Sequence, residues 1–395
     1  MDYNIVSELL TEYAIKNQLQ QKITSVFSSY NYKLIDTPTF ERIETFAGNE
    51  EKMYKFIGRD GAVLALRPDF TPQIAKILSK GGAGFPLRFF YVGNTFRCNE
   101  NYQGKLNEFT QAGVELCGVS ENCAAAEVIA VAISALISSG LTDFRVEIGH
   151  AGFLGGIFEE IGDSALELLK QYIIEGNFVG VKEITSKLSI APETAEVLRN
   201  LMEYSGKIDF IISSTKNIKN VRARLAVAEL GEIHRSLKAY DLDKYISFDL
   251  SLIANWGYYT GMIFRGYTEG ASGRVVEGGR YEIGGVPSVG CALRVNDIQK
   301  AIESQHLEIF TKPTVTFLSY TQSAKLRAFA CAKEWRKAGD TVENSVLGGD
   351  IDKNFKYAKE KRFDGMVYFM DDDSVILFDM ETGRQKTVRV SEVMR

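Results

Sequence analysis

The chain has 395 residues, enough for two or three domains, and its 45% apolar and 25% charged shares are those of an ordinary globular protein. A formal net charge of −5 gives no global attraction for nucleic acid or anionic membranes. No basic region opens the chain as in a signal peptide, the longest apolar stretch (Val128 to Ile137) cannot span a bilayer, and five cysteines form no CxxC pair; a cytoplasmic protein with reduced thiols and no metal is expected.

Residues 4–30 carry Val6, Leu9, Leu10, Tyr13, Leu19, Ile23, Val26 and Phe27 at helical spacing, which predicts an amphipathic helix. A short strand follows from Leu34 to Pro38. Met53 to Ile57 and Ala62 to Arg67, two β-rich runs around Asp60-Gly61, predict a hairpin. Residues 88–95 and 108–117 predict two strands, joined by a polar loop from Arg97 to Asn107. A helix over 122–138 and a strand from Phe144 to Ile148 come next. From about 160 to 240 the pattern is helical and polar, as in an inserted helical region, and strand signals resume from Ile246 to about Leu293. Gly278-Gly279 within that stretch reads as a tight backbone turn.

Pro313 opens a compact tail. It holds a strand (313–319), a helix (323–338) stopped by Gly339, a strand near Val342, and a helix over about 350–361 with Asp350 as N-cap. A strand at Met366 to Met370 and a hairpin turning at Thr382-Gly383 complete it. The elements of the first 310 residues do not alternate as βαβ units. The expected fold class is therefore α+β: an antiparallel sheet with packed helices over 1–310, and a small α/β domain over 311–395.

Phosphate loops, dinucleotide fingerprints, HExxH and GxSxG are absent. His150, His234 and His306 stand isolated, which suits structural or surface roles. Four segments do follow one another in a telling order. They are Leu34 to Glu41 with Pro38; Leu64-Ala-Leu-Arg-Pro-Asp-Phe-Thr-Pro-Gln73; Phe90 to Arg97 with Glu108-Phe-Thr-Gln-Ala-Gly-Val-Glu115 behind it; and Gly257-Tyr-Tyr-Thr-Gly261 with Gly278-Gly-Arg-Tyr281 and Val289 to Leu293. Together they resemble the class II histidyl-tRNA synthetases. The tail around Ile351 to Ala358 is similar to that family's anticodon-binding domain, so the resemblance covers nearly the whole chain.

The resemblance implies a class II synthetase-like fold, a homodimer formed through the Pro38 segment, and a histidine pocket. There Gln111 and Glu115 would hold the α-amino end, Asp69 and Thr71 match neighbouring family positions, and Tyr258 and Tyr259 would line the imidazole side. An ammonium needs a carboxylate and an imidazole needs phenolic or amide partners, so the residue types suit the ligand. Gln111 and Glu115, four apart on a strand and so on one face, would equally form a polar lattice in the sheet, and the two tyrosines would equally be sheet aromatics. Arg97, counted with the pocket, reads both as a phosphate contact and as a brace for a carboxylate.

Departures from the synthetases fall on adenylation. Where that family reads Arg-Gly-Leu-Asp before its double tyrosine, this chain has Ala254-Asn-Trp-Gly257. Asn296 and Asp297 replace the Glu-Arg of the third class II motif, and Asn107 replaces an arginine. One preorganised stabiliser of transition-state charge is worth roughly 10²–10³ in rate, so chemistry on ATP is not expected, and no cofactor is. Arg67-Pro-Asp-Phe-Thr-Pro-Gln73 looks like this segment in the regulatory subunits of ATP phosphoribosyltransferase. In that family a non-catalytic, synthetase-like protein binds and activates a short catalytic subunit and confers feedback inhibition by histidine.

Two alternatives belong to other classes. An active histidyl-tRNA synthetase is opposed by Ala254, Gly257 and Asp297. A pseudo-synthetase acting as an RNA-binding sensor or scaffold is opposed by the acidic balance and by a tail with 15 basic against 13 acidic residues over 311–395. Lys353, Lys356, Lys359, Lys361 and Arg362 read as a solvated helix face, and tRNA binding is not expected.

Overall fold

A computed structural model of the chain describes residues 3–46, 53–81, 84–98, 106–159, 161–253, 258–307 and 314–393. It divides into two compact units, Met1–Phe310 and Thr311–Arg395. The first begins with α1 (Tyr3–Ser29), which buries Leu19, Ile23 and Phe27 at four-residue spacing on one side. After β1 (Lys33–Leu34) come β2 (Phe40–Arg42), β3 (Lys55–Ile57) and β4 (Val63–Leu66), which form a separate antiparallel sheet in the order β2-β4-β3. Gly61 turns the β3–β4 hairpin at φ +79°, and the Asp60 carboxylate accepts the Ala62 N–H at 3.1 Å. Pro72 lies in the first turn of α2 (Thr71–Leu78), where a missing N–H costs nothing.

The long strands β5 (Leu87–Phe96) and β6 (Glu108–Cys117) precede α3 (Asn122–Ser138), β7 (Phe144–His150) and α4 (Ala151–Phe158). The helical region then holds α5 (Asp163–Ile174), α6 (Phe178–Lys187), α7 (Pro192–Arg199), β8 (Ser205–Gly206), α8 (Ile208–Ser214) and α9 (Val221–Ala239). The unit closes with β9 (Ile246–Asp249), β10 (Tyr259–Thr268), β11 (Val276–Ile283), β12 (Val286–Arg294) and α10 (Val295–Ser304). Nine strands make one sheet in the order β1-β5-β6-β12-β11-β10-β7-β9-β8. The sheet is antiparallel through its centre, but β1–β5 and β7–β9 pair in parallel. Helical connections, α2 between β1 and β5 and α4 to α9 between β7 and β9, allow what a hairpin cannot.

Alternation along β6 separates the two faces of this sheet. Ala112, Val114 and Leu116 join the core beneath α3, whose alanines and isoleucines are buried almost all round. Gln111, Gly113 and Glu115 face the other way. Gly278-Gly279 is not a turn but the middle of β11, where a side chain would not fit: a Cβ on Gly279 would lie 2.6 Å from the Tyr259 ring.

The second unit contains β13 (Val315–Tyr320), α11 (Lys325–Lys337), β14 (Thr341–Asn344), α12 (Ile351–Glu360), β15 (Gly365–Phe369), β16 (Ser374–Asp379), β17 (Gln385–Arg389) and α13 (Val390–Val393). Its sheet runs β14-β13-β15-β16-β17, parallel across the first three strands and antiparallel beyond. Asp350 caps α12 by accepting the Lys353 N–H at 3.0 Å, and Gly339 at φ +98° ends α11, both as the sequence predicts. The basic run from Lys353 to Arg362 is exposed. Among the described residues no helix is long and apolar enough to cross a membrane.

Candidate functional site

The outward face of the large sheet is cleared of side chains along a track. Glu115 stands opposite Gly290, and Gly290 stands opposite Gly279. A Cβ on Gly290 would run into the Glu115 carboxylate and the Tyr281 hydroxyl; one on Gly113 would run into the Tyr91 hydroxyl. The glycines thus leave a recess, and all seven residues that the sequence points to line it: Asp69, Thr71, Arg97, Gln111, Glu115, Tyr258 and Tyr259. Tyr91, Glu277 and Tyr281 line it too and are not among the seven. Alternation from Gly279 places Tyr281 on the same face, a signal that could have found it.

Glu115 lies at the closed end, only 1% exposed. Its carboxylate accepts hydrogen bonds from the Thr71 hydroxyl at 2.9 Å and from the Tyr281 hydroxyl. Burial pushes its pKa up to about 8 against the pull of these two donors, and the Asp69 charge adds to the rise. Burial, and then the Glu115 charge, hold the Tyr91 and Tyr281 phenols well above their ordinary range, so both stay protonated donors. The Tyr258 ring stacks on Tyr281 at 5.0 Å and meets Tyr259 edge-on at 4.9 Å, which puts an aromatic wall at the Glu115 end.

Gln111 occupies the middle of the recess, 3% exposed. Its amide nitrogen faces the Asp69 carboxylate at 3.5 Å and the Tyr91 hydroxyl at 3.4 Å. Its carbonyl oxygen is buried with no hydrogen-bond partner among the described residues. Such an orphan costs about 1–3 kcal/mol and requires an explanation. At the open end Arg97 approaches Asp69 at 3.6 Å, with side chains 30% and 36% exposed. The Arg97 Nε also donates to the Pro68 carbonyl at 2.8 Å, so this arginine both braces the turn and lines the recess.

The substituted adenylation positions behave differently. The Asn296 side chain accepts the Thr110 N–H at 2.7 Å. Asp297 accepts the Ser272 hydroxyl at 3.0 Å and forms an ion pair with Arg294, whose guanidinium lies 4.2 Å from the Phe109 ring centre. The Asn107 carbonyl accepts the Arg97 N–H at 2.8 Å. Ala254 and Gly257 lie outside the described residues. His150 caps α4, taking the Gly152 N–H at 3.0 Å and facing Glu229 at 3.2 Å. Cys98, Cys117, Cys123, Cys291 and Cys331 are free thiols, and no cluster among the described residues could hold a metal.

Comparison with known proteins places this architecture. A family model described as histidyl-tRNA synthetase matches residues 6–298. The ATP phosphoribosyltransferase regulatory subunit of Acetivibrio thermocellus is 34% identical over 98% of this chain and 96% of its own. That of Caldanaerobacter subterraneus is 37% identical over 84% of this chain and 90% of its own. A crystal structure of an ATP phosphoribosyltransferase regulatory subunit/histidyl-tRNA synthetase from Bacillus halodurans matches with a TM-score of 0.79 at 27% identity, covering 91% of this chain and 94% of that one. Histidyl-tRNA synthetase from a Nostoc species shares the fold, with a TM-score of 0.83 at 21% identity over 97% and 95% of the two chains. The chain belongs to the family of ATP phosphoribosyltransferase regulatory subunits, which is named for the non-catalytic partner and built on the class II histidyl-tRNA synthetase fold.

Proposed function

We propose that the chain senses free histidine in this recess and sets the activity of a separate, short ATP phosphoribosyltransferase catalytic subunit: it activates that subunit and transmits feedback inhibition when histidine is bound. The observation that carries the ligand assignment is the orphaned Gln111 carbonyl, a buried acceptor with no partner among the described residues, on an amide whose nitrogen faces the Asp69 carboxylate at 3.5 Å. An ammonium satisfies it. The adjacent opposite charges of Asp69 and Arg97 at the open end match the ammonium and carboxylate of an amino acid.

The tyrosines that suit an imidazole gather at the Glu115 end. We therefore assign the ammonium to Gln111 and Asp69 and the ring to Glu115, Tyr258 and Tyr281. This moves Glu115 away from the α-amino end, where the resemblance alone puts it. Titration calorimetry with histidine tests the reading; micromolar to millimolar binding is expected, and no heat at millimolar histidine, with the isolated chain or its complex, would overturn it.

The same reading carries a homodimer. Phe40 and Phe56 meet edge-to-face at 5.4 Å on the small β2-β4-β3 sheet, and with Ile57 and Leu34 they are exposed near the Pro38 segment. Burial against a second copy would remove this apolar surface from water. Light scattering should give twice the chain mass, falling to one chain mass for Ile57→Glu; a monomeric wild type at micromolar concentration contradicts the dimer.

A further inference from the structure

Glu115 is an ionisable group buried where its hydrogen-bond donors are all hydroxyls. Thr71 and Tyr281 donate to it, and among the described residues no lysine or arginine lies within ion-pair distance. The charged and titratable groups facing it come from every surrounding element. Asp69 precedes α2; Tyr91 belongs to β5, with Arg97 just beyond it; Tyr258 precedes β10 and Tyr259 opens it; Glu277 and Tyr281 lie on β11; and Cys291 lies on β12. The two arginines nearby are already engaged, Arg97 with Asp69 at 3.6 Å and Arg274 with Glu277 at 3.0 Å. The closed end therefore offers no free cation among the described residues to offset a Glu115 charge, and the Tyr91, Tyr258 and Tyr281 rings line it.

Resting on the histidine reading above, we infer that the imidazole binds as a one-proton pair with Glu115, the carboxyl group and the ring sharing a single proton inside the closed end of the recess. The balance is simple. The empty pocket holds Glu115 as the neutral acid, because burial raises its pKa to about 8. A neutral imidazole brings one bare nitrogen. The Glu115 O–H turns to that nitrogen as an O–H···N hydrogen bond, so no proton leaves for solvent and none is taken up. The Thr71 and Tyr281 hydroxyls hold the carboxyl group in place for this bond. The two sites then titrate as a unit rather than singly.

This pairing has a distinct pH signature. Free imidazole protonates near pH 6.5, so binding below that value must release a proton. Above about pH 8 the empty pocket has lost its Glu115 proton, so binding must take one up. Affinity should peak between the two and fall by roughly tenfold per pH unit on each side.

Calorimetry of histidine binding, in buffers of different ionisation enthalpy from pH 5.5 to 9, counts the protons. The expected result is release at pH 5.5, exchange near zero around pH 7, and uptake approaching one proton above pH 8. Glu115→Gln should lose the alkaline uptake, with the ligand's own titration common to both proteins and cancelling in the difference. Tyr281→Phe, which removes a donor to the carboxyl group, should move the alkaline limb upward in pH and serves if Glu115→Gln binds too weakly to read. Release of about one proton at pH 7, or alkaline uptake unchanged in both variants, overturns the one-proton pair while leaving histidine binding intact. Absence of binding at every pH would instead defeat the histidine reading itself.

Discussion

Gln111 on β6 and Asn296 packed against that strand end in the same amide, yet their surroundings differ in kind. The Asn296 carbonyl takes the Thr110 N–H, and its neighbour Asp297 is answered by Arg294 and Ser272. The Gln111 carbonyl takes nothing among the described residues, and Glu115 on the same strand face is kept in a site where its charge is disfavoured. One region has been absorbed into the scaffold, while the other keeps groups that are costly unless a ligand meets them. Residue type alone does not separate ligand-facing polar groups from structural ones; hydrogen-bond satisfaction does.

The most severe way to break this contrast is to fill the recess. Gly290→Ala would place a methyl group against Glu115 and Tyr281. Histidine binding should fall by about a hundredfold or more, with a stability loss of about 1–3 kcal/mol from overpacking. Calorimetry and a thermal melt measure the two. Binding within tenfold of wild type would show that the ligand does not use this floor.

The amides themselves give a sharper comparison. Gln111→Leu should weaken histidine about ten- to hundredfold, because a charge-assisted contact of about 1.5–3 kcal/mol is lost. It should leave the empty protein about as stable as wild type, since the long amide N–H contacts it loses to Asp69 and Tyr91 are offset by removal of the unsatisfied carbonyl. Asp297→Asn should do the reverse: binding changes less than about threefold, while loss of the Arg294 pair destabilises the fold by about 1–3 kcal/mol. If Gln111→Leu costs stability and spares binding, Gln111 belongs to a polar lattice of the sheet.

A separate effect, on stability rather than binding, follows from Glu115 alone. Its folded pKa of about 8 lies above the ordinary value of 4.5, so the unfolded chain gives up this proton first. Stability is complete below about pH 4.5 and is lost progressively as pH rises towards 8. Glu115→Gln removes that loss. The variant should melt like wild type at pH 4 and higher than wild type at pH 8, by on the order of a few kcal/mol in stability. Equal melting at both pH values would mean that Glu115 is ionised in the folded protein.

Much of this arrangement is legible in the residues themselves. The two-residue period of a strand puts Gln111 and Glu115 on one face, and Asp350 and Gly339 mark their helix ends by local chemistry. The role of Gly278-Gly279 is not legible in the same way. A glycine needed for a turn and one needed for close approach look alike until the partner strand is known, and here that partner is Gly290 on β12. Tyr281 escapes for the same reason, since its hydroxyl meets Glu115 across 166 positions of chain. The parallel pairs at β1–β5 and β7–β9 depend on how helices return the chain to the sheet, which strand patterning does not encode.

The most direct test of the central claim joins this chain to a short catalytic subunit and follows formation of phosphoribosyl-ATP with and without histidine. Allosteric coupling is typically about 1–3 kcal/mol, so activation of roughly five- to 150-fold is expected, with histidine reversing it. Wild type and Gln111→Leu should activate equally, but Gln111→Leu should need about ten- to hundredfold more histidine for inhibition. A complex that shows no activation, or one whose histidine inhibition is untouched by Gln111→Leu and Gly290→Ala alike, would contradict the account.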